Sequence, residues 1–306
     1  MTTLDESVQA AGLPAGMIVS RYRKTGIMAK ILIVGCGDVG TRLATRLVTS
    51  GHEVAGLRRS SFALPGATSL QGDVTDPASL HLPAGLDAVF IILSPDGQDA
   101  AAYRRTYRDG TRHVLAVLAG QSLRHVFWVS SSSVYGQEDG SLVDESSPAA
   151  PVTATAQVLL ESEELVRHSP WPATIVRCSG LYGPGRLRLL RWVESGRPVQ
   201  AAPPQWTNRL HVDDAAGILA FLLEQVLAER GVEEVYIATD DQPVAQHEVL
   251  DWLADSMGLP HVAHVNNPGG KCNKRLSNQR LKALGYQWQY PGYREGYRSV
   301  LGTPPQ

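Results

Sequence analysis

An α/β fold built on a doubly wound parallel sheet is what the sequence predicts, on three observations. The β-branched apolar run Lys30-Ile31-Leu32-Ile33-Val34 leads into Gly35-Cys36-Gly37-Asp38-Val39-Gly40, after which Leu43, Leu47 and Val48 follow at helical spacing. Short apolar runs then alternate with helical patterns, the signature of β-α-β-α repetition. One of those runs, Asp87 to Leu93, is continuously apolar after its first residue, as in a parallel strand covered on both faces.

The first junction is a strand, a tight glycine turn and a helix N-terminus, the layout of a Rossmann-type dinucleotide cradle. Gly35 permits the turn, Gly37 lets backbone approach phosphates, and Gly40 lets the helix close on the strand. The unpaired N–H groups and dipole of the helix N-terminus, beside Asp38 and Val39, favour the pyrophosphate there.

The second strand, His52 to Leu57, ends in Arg58-Arg59-Ser60. An acidic residue at this end holds the ribose hydroxyls of NAD, whereas arginine accommodates the 2′-phosphate of NADP. Two arginines and a serine predict NADP ahead of NAD, with Arg58 favoured over Arg59; the other reading is a solvated surface pair. A short strand over 67–70 precedes Asp73, which either reaches the adenine amino group or caps a helix starting near Pro77. The strand over 87–93 closes at Leu93-Ser94-Pro95, expected to line the cofactor groove, and a helix over about 99–120 follows. The next strand, His125 to Val129, runs into Ser130-Ser131-Ser132-Ser133-Val134-Tyr135-Gly136. Hydroxyls at the carboxyl end of a central strand can hydrogen-bond an oxygen under oxidation or reduction.

Composition bounds the rest. The 306 residues are 43% hydrophobic and 19% charged with a net charge of −2, which describes a globular chain with no bias towards nucleic acid or anionic membranes. No run has the length of a membrane helix. Cys36, Cys178 and Cys272 are far apart and form no C-x-x-C, so neither a metal site nor a disulfide framework is indicated, and a cytoplasmic location is expected. Residues 1–27 read as a flexible N-terminal extension, the reverse of a signal peptide in charge order, with a regulatory arm as the alternative. The Rossmann core is expected over 28–180 and a small, mostly helical substrate lobe over 181–306, with elements near 206–240 returning to the core.

The glycine fingerprint, the Ser-Ser-Ser-Ser-Val-Tyr-Gly segment and Arg177-Cys178-Ser179-Gly180-Leu181-Tyr182-Gly183-Pro184-Gly185-Arg186 together resemble the extended short-chain dehydrogenase/reductase family. That group includes the NAD(P)-dependent nucleotide-sugar epimerases and dehydratases. Arg209-Leu210-His211-Val212-Asp213-Asp214 and the tail motifs Leu281 to Tyr286 and Tyr290 to Tyr293 are similar to it as well, so the likeness spans about 28–300. The resemblance implies that Ser131 is catalytic, that the arginines after Gly185 hold a substrate diphosphate, the other reading of them being a solvated helix face, and that a homodimer forms through helices near 99–120 and 155–168. It places substrate contacts at Ser132, Tyr135, Arg186 and Arg209.

One departure stands out. The family's acid/base pair is a tyrosine with a lysine four residues on, and the matching positions hold Thr153 and Gln157. Threonine does not ionise usefully near neutrality, and glutamine carries no charge to activate it. Tyr182 is the favoured surrogate proton donor, with Tyr135 and His211 as alternatives. Asp213-Asp214 is expected to cap a helix running to about Glu229, and a helix opening after Gln242-Pro243-Val244 to end near Gly258. Pro268-Gly269-Gly270 with Lys271, Lys274 and Arg275 reads as a basic loop, solvated or paired with an anionic substrate. The sequence thus predicts an NADP-preferring oxidoreductase or epimerase of an atypical kind, acting on a small polar or nucleotide-sugar-like molecule. The rival reading is an NADP(H)-binding sensor or scaffold without turnover.

Overall fold

The computed structural model describes residues 26–266 and 273–302. Most of the expected N-terminal extension, and Pro268 to Lys271 of the basic loop, lie outside those residues. The first strand, β1 (Lys30–Val34), is inaccessible from Ile31 onward, and a glycine turn carries it into α1 (Asp38–Thr49). The chain then lays down β2 (Glu53–Arg58), β3 (Thr68–Gln71) and β4 (Ala88–Ile91). A helical run follows, in which α2 (Ala100–Tyr103) and α3 (Gly110–Val117) are joined by a π-helical stretch over Arg104–Asp109. Next come β5 (His125–Ser131), the short β6 (Leu142–Val143), α4 (Ala154–Arg167), β7 (Ala173–Cys178) and β8 (Gly180–Tyr182).

The second half comprises α5 (Arg188–Glu194), β9 (Val199–Ala202), β10 (Trp206–Thr207), β11 (Arg209–His211) and α6 (Val212–Leu227). It continues with β12 (Val235–Ala238), β13 (Val244–Ala245), α7 (Gln246–Met257) and β14 (His264–Asn266), then β15 (Arg275–Leu276), α8 (Gln279–Leu284) and α9 (Tyr293–Leu301).

Seven strands form one sheet in the order β12-β7-β5-β4-β1-β2-β3, every neighbouring pair parallel. This is a Rossmann-like α/β fold. Its strand order reverses between β1 and β4, where crossovers leave on opposite faces and open a crevice at the carboxyl ends. Leu43 and Leu47 of α1 and Ile218 and Leu222 of α6 bury one face of the sheet; Val114 of α3 and Leu159 and Val166 of α4 bury the other. Phe90 and Phe127 stack at 4.6 Å between adjacent strands. A third apolar cluster joins Leu190 of α5, Val249 and Leu253 of α7, and Tyr293 and Tyr297 of α9. Among the described residues no helix is long and apolar enough to cross a membrane.

Several local expectations change. The strand expected to stop at Val129 extends to Ser131, because Ser130 and Ser131 pair with Arg177 and Cys178 of β7. Asp73 caps no helix: its carboxylate accepts from Thr75 N–H, while Asp76 caps a single 3₁₀ turn over Pro77–Ser79. The cap of α6 is the His211 ring, which accepts from Asp213 N–H, rather than Asp213-Asp214. Asp214 instead is buried and accepts from Tyr286 OH and from the N–H groups of Gln289 and Tyr290, anchoring the tail beside α6. Lys274 is not solvated; it is 5% exposed.

Candidate functional site

At the β1–α1 junction Gly35 has φ +90°, and a Cβ there would lie 2.0 Å from the Ile92 carbonyl oxygen. Only glycine fits. A Cβ at Gly40 would lie 2.7 Å from the Gly35 carbonyl oxygen, so α1 can seat on the turn only without one. At Gly37, in contrast, nothing lies within 4 Å of that position, and no side chain caps α1. The turn therefore presents open backbone and uncapped N–H groups on its outer side, a surface that fits a dinucleotide's pyrophosphate. Val39 is buried beneath it. Asp38, in the first helical turn, takes Arg42 Nε at 2.8 Å and Arg186 Nε at 3.1 Å. Burial works to raise its pKa, but the two guanidinium partners outweigh it and hold the carboxyl below its usual range.

Arg58, Arg59 and Ser60 leave β2 exposed. Arg58 stands 5.9 Å over the Phe62 ring, and Arg59 makes a two-pronged ion pair with Asp96 from the loop after β4. Asp96 thus brings a carboxylate against Arg59 from 37 residues along the chain. Asp73, half-buried, lies beyond β3, and Leu93 and Ser94 follow β4.

The serine turn stands on a buried polar network. Ser130 Oγ donates to Glu163 at 2.6 Å, Arg177 donates to the same carboxylate at 2.6 and 3.0 Å, and Arg177 Nη1 donates to Tyr135 OH at 2.8 Å. Burial pushes the Tyr135 phenol up despite Arg177, and Tyr135, 1% exposed, sits beneath the cleft floor instead of facing substrate. Lys274 Nζ donates to the Tyr135 carbonyl at 2.5 Å. Asn208 holds that lysine's strand end on both sides, donating to Lys274 O at 2.9 Å and accepting from Leu276 N–H at 2.8 Å.

Above this network lies a cleft of about 730 Å³. Ser131, Ser132 and Ser133 line one wall; Arg186, Arg188, Arg191, Arg209 and Lys274 supply five basic side chains, and among the described residues no acidic one lines it. Arg209 is 5% exposed, donates from Nη2 to Thr207 Oγ1 at 2.8 Å and leaves buried Nη1 without a partner, as does Ser179 Oγ beside it in the lining. Burial pushes the Arg209 guanidinium's pKa down, against the pull of Tyr297 and Asp240.

The proton-donor candidates fall out differently. Tyr182 reaches the cleft wall, but its hydroxyl donates to Gly292 O at 3.3 Å and abuts Gly296, and burial pushes the phenol well above its usual range. His211 is 1% exposed with its pKa pushed down to about 4, first by burial, and is absent from the lining. Thr153 caps α4 through the Ala156 N–H, and Gln157 is exposed; neither lines the cleft. Sequence reasoning missed Asp96, and for Lys274 it missed the bond to the Tyr135 carbonyl. Their signals, a lone Asp after a strand and a lysine near glycines, do not disclose partners more than thirty residues away.

The model of the NAD dependent epimerase/dehydratase family matches residues 31–238. A solved structure from Methylobacillus flagellatus, described as a candidate NAD-dependent epimerase/dehydratase, is 41% identical with a TM-score of 0.76, covering 90% of this chain and 98% of that one. Protein YeeZ of Escherichia coli (strain K12) is 27% identical over 280 residues, 86% of this chain and 97% of its own. The N-acetyl-α-D-glucosaminyl-diphospho-ditrans,octacis-undecaprenol 4-epimerase of Escherichia coli O157:H7 is 25% identical over 270 residues, 81% and 80% of the two chains.

Proposed function

This chain belongs to the NAD dependent epimerase/dehydratase family, and from that premise we propose that it is an NADP-preferring oxidoreductase or epimerase acting on a small anionic molecule of the sugar-diphosphate type. The observation that carries the reading is the cleft: five basic side chains and four serines, with no acid among the described lining residues. A diphosphate satisfies Arg209 Nη1 and the exposed arginines of α5, while the attached sugar reaches Ser131 at the end of β5. The relative that acts on a diphospho-linked sugar supports the same class.

Gly35, Gly37 and Gly40 would hold the pyrophosphate, and Arg58 with Ser60 the adenosine end, where the Arg58 guanidinium favours a 2′-phosphate. When bound, the nicotinamide supplies the hydride acceptor or donor. The chain's own contribution is positional: Ser131 Oγ, which accepts from Ser133 N–H at 3.2 Å, offers its proton to a reacting oxygen, and the nearby cations stabilise negative charge there. A homodimer through the run 100–117 and α4, and a cytoplasmic location, complete the proposal.

The test is a fluorescence titration with NADPH and, separately, NADH, using the six tryptophans as energy donors to the nicotinamide. Tight NADPH binding, weakened by Arg58→Asp, supports the reading; binding of neither nucleotide overturns it. The exposed Gln157 and helix-capping Thr153 favour a second reading, a dinucleotide sensor without turnover. Ser131→Ala separates the two, abolishing turnover and sparing cofactor binding in an enzyme.

A further inference from the structure

Gly183-Pro184-Gly185-Arg186 is a closed turn in which Gly183 and Arg186 form an antiparallel bridge and Arg186 N–H donates to Gly183 O at 3.0 Å. Gly183 has φ +141° and Gly185 φ +79°, and a Cβ on Gly183 would lie 2.6 Å from Val212 Cγ2 at the start of α6. The turn is jammed against α6, and Pro184 fixes its own φ, so the direction in which Arg186 leaves is set by backbone. Arg186 lines the substrate cleft, yet its ionic partner belongs to the cofactor turn: Nε sits 3.1 Å from Asp38 Oδ2.

The Arg186–Asp38 pair does little to hold the fold, since both side chains are more than a third exposed. The Asp38 carboxylate, however, stands in the first turn of α1, where the open N–H groups would meet a pyrophosphate, and an unscreened carboxylate there repels the incoming anion. Arg42 also binds Asp38, but it is shared with Asp213 of α6. Arg186 binds the other carboxylate oxygen, Oδ2, and no second ionic partner of it is found among the described residues.

Resting on the dinucleotide reading above, we propose that Arg186 is a cofactor-site residue supplied by the substrate loop: it screens Asp38 at the glycine turn, so that one side chain serves both sites. The consequence appears without any substrate present.

The experiment is a titration of the full-length protein with NADPH for wild type, Arg186→Gln, Asp38→Asn and the double variant. Arg186→Gln is expected to weaken NADPH about five-fold, and the same change in the Asp38→Asn background to alter it less than about two-fold, since no carboxylate then needs screening. Thermal unfolding of each variant within a few degrees of wild type excludes misfolding as the cause. Unchanged NADPH affinity in Arg186→Gln overturns the proposal and leaves Arg186 a substrate residue alone. An equal loss in both backgrounds also overturns it, because the effect then does not pass through Asp38. Failure of the wild type to bind either nucleotide overturns the family-based reading itself, a result distinguishable from both.

Discussion

Arg177 Nη2 lies 2.6 Å from a carboxylate oxygen of Glu163, on a side chain with no exposed surface, directly beneath the serine turn. Ser130 and Tyr135 hydrogen-bond to this pair, and Arg167 Nη2 reaches the same carboxylate at 3.3 Å, so β5, β7, α4 and the turn share one polar anchor. Removing Arg177 leaves the buried Glu163 with only the longer Arg167 contact, at 3.3 Å, to offset its charge, which is far worse than losing an exposed pair. Arg177→Met should therefore destabilise the protein by about 3–5 kcal/mol in urea denaturation. The double variant Glu163→Leu with Arg177→Met should recover most of that loss, because no lone charge remains.

Gly35→Ala places a Cβ 2.0 Å from the Ile92 carbonyl oxygen in a residue with φ +90°. Backbone cannot yield cheaply there, since Ile92 N–H is bound to Val34 O at 2.8 Å. A loss of about 2 kcal/mol or more is expected in chemical denaturation, together with loss of NADPH binding.

Lys274→Met removes the donor to the Tyr135 carbonyl while keeping the length of the side chain. Leaving a buried carbonyl without that partner should cost about 1–3 kcal/mol. Uridine diphosphate, titrated as a probe of the cleft, should bind more weakly to the variant; equal affinity would remove Lys274 from the anion site.

Arg59 is engaged with Asp96, so its charge is partly offset where a 2′-phosphate would sit. Asp96→Asn should raise NADPH affinity relative to NADH by several-fold, read as the ratio of the two dissociation constants.

His125 hydrogen-bonds Thr174 Oγ1 inside the sheet, and burial pushes its pKa down to about 4. Its folded pKa lies below the unfolded value near 6.5, so below about pH 6.5 the unfolded chain takes up a proton that the native protein refuses. Stability is full above that pH and falls, through this group, by up to about 3 kcal/mol as the pH drops towards 4. His211 acts in the same direction, whereas Asp240, its pKa raised to about 8 by burial, loses stability as pH rises from about 4 to 8. The measurement is therefore a difference: replacing His125 by Asn should flatten the acid-side slope relative to wild type. Parallel slopes would show that His125 is not buried as a neutral ring.

The sheet and the glycine turn at its carboxyl edge are legible in the local order of the residues. Ile31 to Val34 and Ala88 to Ile91 carry their burial in their own composition, and Gly35 and Gly40 declare a turn whose constraints are local to a few residues of backbone. Periodicity, glycine and proline act over short range, so a linear reading reaches them. Tertiary structure alone decided which charges meet. Asp96 on Arg59, Arg186 on Asp38, Lys274 on the Tyr135 carbonyl and Glu163 on Arg177 each join elements that only packing of the sheet, α1, α6 and the C-terminal strands brings together. Ion pairing depends on distance in space and on local burial, and neither is written in the order of the residues.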